Sequence, residues 1–153
     1  MTPTIGLEPI SQSDRDSFLA MAANHFRELN PSFVPEADWR EHYLEGILTN
    51  RRVFLRWIVT EGKRSGFILF GLEDHRFLPR KTGSIYELYV EPESRRLGIG
   101  RLCALQAIRE LQTHSPSKVQ LEIMTGNRAA EALWESLGFR KFSERWVLEQ
   151  GKR

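Results

Sequence analysis

Ile85-Tyr86-Glu87-Leu88-Tyr89-Val90-Glu91-Pro92-Glu93-Ser94-Arg95-Arg96-Leu97-Gly98-Ile99-Gly100-Arg101-Leu102 is the stretch that decides the fold. Its first six residues are β-branched and aromatic enough to read as a strand, and Pro92, which has no N–H for a ladder, ends that strand near Glu91. From Gly100 onward Cys103, Ala104, Ala107, Ile108 and Leu111 share one sector of a helical wheel, away from Gln106, Arg109, Glu110 and Thr113. A strand therefore passes into an amphipathic helix through a turn carrying Gly98 and Gly100. Glycines admit positive φ and close approach of a ligand to the backbone, and a helix start presents free N–H groups and the positive end of its dipole. Arg95, Arg96 and Arg101 add charge, so the turn reads as an anion site for a phosphate-bearing ligand.

Neither the dinucleotide string G-x-G-x-x-G nor the nucleotide string G-x-x-x-x-G-K-[ST] occurs. What does occur, Arg95-x-x-Gly98-x-Gly100 directly after a strand, resembles the acyl-coenzyme-A motif [QR]-x-x-G-x-[GA] of the GCN5-related N-acetyltransferase (GNAT) superfamily. A second segment, Asn127-Arg128-Ala129-Ala130-Glu131-Ala132-Leu133-Trp134-Glu135-Ser136-Leu137-Gly138-Phe139, is similar to the other landmark of that family, a helix running from Asn through an aromatic to Leu-Gly-Phe. The resemblance covers roughly Gly83 to Phe142 well and the first half by element order.

Composition sets the frame around these motifs. The 153 residues, 41% hydrophobic and 27% charged, suit a single domain over 1–153 with one core. A net charge of +2 gives no reason to expect nucleic acid or a membrane surface. No apolar run approaches the roughly 20 residues of a span, and no basic stretch precedes an apolar one at the N-terminus. With one cysteine there is no internal disulfide, which suits a reducing cytoplasm.

Along the chain, Thr4 to Pro9 reads as a first strand. Ser11 or Ser13 caps a helix bearing Phe18, Leu19, Ala22, Phe26 and Leu29 at helical spacing. His25 lies beside that stripe and reads as a packed or half-exposed helix histidine, since no Cys, Asp or second His sits at ligand spacing. Pro35-Glu36 opens a second helix with Trp39, Tyr43 and Ile47 on its apolar edge. Arg52 to Thr60 alternates, Gly66 to Leu72 is continuously apolar as in a strand covered on both faces, and the loop Glu73 to Lys81 reads as solvated. Val119, Leu121 and Ile123 mark a strand within Lys118–Met124, Gly138 closes the last helix, and Phe142, Trp146 and Leu148 predict one or two terminal strands.

This order is an α/β pattern with helices against a mixed sheet. The resemblance sharpens it to a central sheet splayed between strands 4 and 5 and flanked by helices on both faces, with the cofactor in the cleft. It implies an N-acetyltransferase moving acetyl from acetyl-CoA to a primary amine of a small molecule or peptide, as a monomer or homodimer without a metal. The cofactor contacts it implies are the backbone of Leu88, Tyr89 and Val90, the turn Arg95, Arg96, Leu97, Gly98, Ile99, Gly100 and Arg101, and Asn127. A backbone N–H near Val90 would polarise the thioester carbonyl.

An ammonium has no lone pair, so the acceptor must lose a proton, and Glu87 stands where many relatives carry an acid facing the acceptor. It reads either as general base or amine anchor, or as a strand glutamate paired with a neighbouring Arg or Lys. In the family it resembles, the first two helices usually wall the acceptor pocket, so Phe33, Trp39, His42 and Tyr43 read either as acceptor contacts or as core and rim residues. One position departs from the family pattern. Trp134 replaces the Tyr that protonates the leaving thiolate in many relatives, and an indole N–H is no acid at neutral pH. Tyr86, Tyr89 and Ser136 are the remaining candidate donors, or the chain is a non-catalytic acyl-CoA-binding or sensing module. Cys103, on the apolar edge of its helix, reads as core rather than nucleophile.

Overall fold

The computed structural model describes residues 3–151. In chain order they form β1 (Ile5–Pro9), α1 (Arg15–Leu29), α2 (Ala37–Leu48), β2 (Val53–Thr60), β3 (Lys63–Asp74), β4 (Lys81–Val90), α3 (Ile99–Gln112), β5 (Val119–Leu121) and α4 (Arg128–Ser136). The five strands lie in the sheet in sequence order. The first three pairings are antiparallel, and β5 joins β4 in parallel after the α3 crossover. Pro35 lies just ahead of α2, whose N-cap is Glu36.

The unbroken apolar run of β3 is explained by two cores. Phe67 and Leu69 pack with Phe18, Met21, Leu44, Leu55 and Trp57 beneath α1 and α2. Ile68, Phe70 and Leu72 pack with Ile85, Ile99, Cys103, Ala107, Leu111 and Trp134 beneath α3 and α4. Side chains alternate across a strand, so one covered on both faces needs apolar residues at every position.

Two irregularities in β4 position the site. First, β5 pairs with β4 only through Gly83, Ser84 and Ile85, so residues 86–90 have no strand partner on that side among the described residues, and the sheet opens there. Second, Leu69 is opposite Glu87 while Phe70 is opposite Ile85, which makes Tyr86 the extra residue of a β-bulge. Two successive side chains then fall on the α1/α2 side. Tyr86 lines a depression beside α2, and Glu87 reaches α1.

The terminal strands expected from Phe142, Trp146 and Leu148 do not form. Among the described residues the segment after α4 forms no regular element and no ladder, and Phe142, Trp146, Val147 and Leu148 lie exposed. An ion pair from Arg145 to Glu122 and Lys118 above the Phe142 ring hold the segment instead.

At the other side of β4, Gly66 permits close contact with β3: a Cβ there would sit 1.9 Å from the carbonyl oxygen of Tyr89. Backbone cannot yield as a flexible side chain can. Gly66→Ala is expected to destabilise the fold by about 3 kcal/mol, read as a lowered urea midpoint at unchanged m-value.

Candidate active site

By the register of β3 and β4, the N–H of Glu91 donates to Ser65 on β3. Backbone groups alternate sides along a strand, so Tyr89 also faces β3, whereas Leu88 and Val90 face the opened side. The carbonyl of Val90 confirms this direction, because it accepts from Nε of Arg95 at 2.7 Å across the turn that follows.

That turn is a tight one. Arg96 has φ of 66° and Gly98 has φ of 79°, both left-handed, and Gly98 caps α3. A Cβ at Gly98 would meet nothing within 4 Å, and one at Gly100 only the side chains of Leu133 and Val90 at 3.8 and 3.9 Å. The backbone at the start of α3 is therefore open to a ligand. Ile99 is buried in the core beneath it, and Leu97 is exposed.

The three arginines of the turn are not equivalent. Arg95 grips Glu28 of α1 at 2.7 and 2.8 Å, and Arg101 donates to the hydroxyl of Ser136 at 2.7 Å, tying α3 to α4. Arg96 is exposed and has no side-chain partner among the described residues. Asn127 caps α4 by accepting from the N–H of Ala130 at 3.1 Å.

Glu87 pairs with His25 of α1, Nε2 to Oε2 at 2.5 Å, and its side chain is 22% exposed against 9% for His25. The alternative pairing with an Arg or Lys is not what forms. His25 belongs to the buried face of α1, a partner the sequence did not reveal. Its spacing from Phe18 and Ala22, i+7 and i+3, was the available signal.

Beside the bulge lies a wide, open depression of about 600 Å³ lined by Trp39, Tyr43, Ile47, Leu69 and Tyr86, with Asp38 and His42 lining it too. Trp39 and Tyr43 stack at 5.2 Å, and Phe33 and Phe26 extend the cluster. Burial, and secondarily the nearby Glu87 carboxylate, push the Tyr43 phenol up. The Tyr86 hydroxyl donates to Glu73 at 2.8 Å, and burial followed by that bond pushes it up to about 12. The hydroxyl of Ser136 is engaged by Arg101 and donates to the carbonyl of Leu133. Trp134 is a core residue packed edge-on to Phe139.

Residues 19–139 match the profile of the acetyltransferase (GNAT) family. The chain belongs to the GNAT family. It is similar to the mycothiol acetyltransferase of Acidothermus cellulolyticus, 31% identical over 99 residues that cover 65% of this chain and 30% of the relative. It is also similar to the ribosomal protein bS18-alanine N-acetyltransferase of Salmonella typhimurium, 39% identical over 56 residues, 37% of this chain and 38% of the relative. The chain thus spans about a third of the length of these relatives. An aminoglycoside N-acetyltransferase solved with CoA shares the fold at a TM-score of 0.74 and 13% identity, over 99% of this chain and 97% of that one. The GNAT sheet opening is the one seen here past Ile85. No described helix is long and apolar enough to cross a membrane.

Cys103 is fully buried, and burial alone pushes its thiol up to about 12, which suits a core residue and not a nucleophile. A thiol reagent is expected to leave the folded protein untouched and to titrate one cysteine after denaturation.

Proposed function

We propose that the chain transfers an acetyl group from acetyl-CoA directly to a primary amine. The observation that carries this is the run of β4 past Ile85, which presents free backbone groups, a carboxylate and an open helix start in one line. Acetyl-CoA is a good fit there. The backbone of Leu88 and Val90 pairs with the pantetheine amides as a further strand would, and Tyr89 between them faces β3. The N–H groups from Leu97 to Arg101 and the Arg96 guanidinium hold the diphosphate, with Arg95, Arg101 and Asn127 framing the turn. When bound, acetyl-CoA supplies the activated acyl carbon and a thiol leaving group.

The chain's own groups do the rest. The Val90 N–H polarises the carbonyl, a contribution of about 3 kcal/mol for a well-aimed donor. Glu87 takes a proton from the acceptor's ammonium, leaving a neutral amine with a lone pair and a protonated carboxyl. This matters because an amine with pKa of about 10.4 is almost wholly protonated at neutral pH. As the C–N bond forms and the C–S bond breaks, the nitrogen sheds its second proton. The leaving sulfur, whose thiol ionises at a pH of about 8.5, departs as thiolate and takes up that proton without the missing tyrosine, so Trp134 keeps a packing role.

The acceptor enters by the aromatic depression beside Tyr86. Its lining suits one amine on an apolar or aromatic body better than a polycation, which would need several carboxylates. Transfer to a protein N-terminus or a small amine both fit that description. With a single, fully buried thiol the chain suits a reducing, cytoplasmic setting.

The test is release of free thiol from acetyl-CoA with 2-phenylethylamine, a short Ala-terminated peptide and spermidine. Release with either of the first two, faster than with spermidine, is the expected result. Tight CoA binding with no amine-dependent release would mean a sensing module instead. Glu87→Gln is expected to lower the rate by about 10²-fold or more at unchanged CoA affinity. Gly98→Val forces a β-branched residue into a left-handed position and is expected to weaken CoA binding about tenfold by calorimetry.

A further inference from the structure

Among the described residues, His25 is a buried imidazole near the site to which the proposed chemistry gives no task. It is 7% exposed, and the rings of Phe26, Phe67 and Tyr89 surround it with centroids 5.2, 5.7 and 5.5 Å away. A buried imidazole is costly in such a sleeve unless its polar atoms are satisfied. Nε2 finds Oε2 of Glu87 at 2.5 Å, from a residue 62 positions away in sequence.

One turn further along α1 lies a second link to the same strand. Glu28 holds Arg95, and Arg95 donates to the carbonyl of Val90. Residues 25 and 28 of one helix thus reach, directly and through an arginine, residues 87 and 90 of the segment that has lost its neighbour strand. Glu87 emerges beside a bulge, where a strand is free to re-aim its side chains. A carboxylate in that place needs an external group to fix which oxygen faces the acceptor.

We infer that His25 is the positioning residue for Glu87. Its Nε2–H, present in the Nε2-protonated neutral tautomer and in the imidazolium alike, donates to Oε2 and turns Oε1 toward the acceptor amine. Oε1 then takes the proton from the ammonium, which becomes R–NH2 as the carboxylate becomes a carboxyl, with the His25 hydrogen bond kept throughout. This rests on the reading of Glu87 as base, and it adds that the base works only while α1 holds it.

The experiment compares His25→Leu, His25→Gln and Glu87→Gln with the parent, using acetyl-CoA and whichever panel amine gives the fastest thiol release. Gln carries an N–H donor close to the position of Nε2, and Leu fills the space without one. The expected result is a kcat about tenfold or more lower for His25→Leu, a KM for acetyl-CoA within about twofold of the parent, and recovery of most of the loss by His25→Gln. A His25→Leu enzyme as fast as the parent, or a Gln variant no better than Leu, overturns the inference while Glu87 stands.

A parent whose rate Glu87→Gln leaves unchanged, or which releases no thiol with any amine, overturns the base assignment, and the task given to His25 goes with it. Should the Leu variant fail to fold, proton NMR decides. A low-field imidazole N–H signal is expected in the parent, absent in His25→Gln and displaced in Glu87→Gln. Its insensitivity to Glu87→Gln overturns the pairing.

Discussion

β4 outlives its partner. Past Ile85 the strand keeps β3 on one side and loses β5 on the other, so the outward N–H and C=O groups of Leu88 and Val90 must be satisfied by something outside the sheet. An exposed strand edge is ordinarily a liability that proteins blunt. Here the Arg95 side chain covers the Val90 carbonyl, and the start of α3 lies immediately after the edge. An edge that takes peptide-like partners and a helix start that takes anions are then adjacent. A ligand with amide groups at one end and phosphates at the other matches both with no rearrangement of the sheet.

A strand freed on one side also needs holding. The hydrogen bonds to β3 fix its height and register, and the contact of Gly66 with Tyr89 brings the two backbones closer than any other residue at that position would allow. Neither controls side-chain direction beside the Tyr86 bulge. That control comes from α1, whose aromatic and aliphatic face is packed on β2 and β3 through Phe18, Met21 and Ala22. The helix is anchored by the core and not by the site, so it can act as a rigid reference for Glu87 and Arg95. Packing energy from one half of the chain is in this way used to place chemistry carried by the other half.

How much of this was legible in the sequence follows from the range of each interaction. The two cores were readable because periodicity is local: the run Gly66–Leu72 and the α3 sector Cys103–Leu111 each announce their faces within a dozen residues. The Gly98 turn was readable for the same reason. The bulge was not, since it is a mismatch between two strands and neither strand alone encodes it. Nor was the His25–Glu87 pair, which spans 62 positions and makes a buried polar residue look like a misplaced one. The terminal strands were over-read because Phe142, Trp146 and Leu148 carry strand propensity, while the edge they would join pairs through only three residues of β5. Propensity does not make a strand without a partner.

The charge on the turn is also distributed differently from what three arginines suggest. Arg95 and Arg101 are spent on Glu28 and Ser136, which lock α1 and α4 to the ends of the same turn. What remains for an anion is the set of N–H groups at the helix start and Arg96, whose left-handed φ of 66° costs about 1 kcal/mol or more in a residue with a Cβ. Strain of that kind persists only where surrounding structure over-determines it. Arg96 lies between the Arg95 anchor on one side and Gly98 with the buried Ile99 on the other, which hold the turn in that conformation. The backbone conformation that points its guanidinium outward is therefore set before any ligand arrives, and binding an anion there requires little further ordering of the turn.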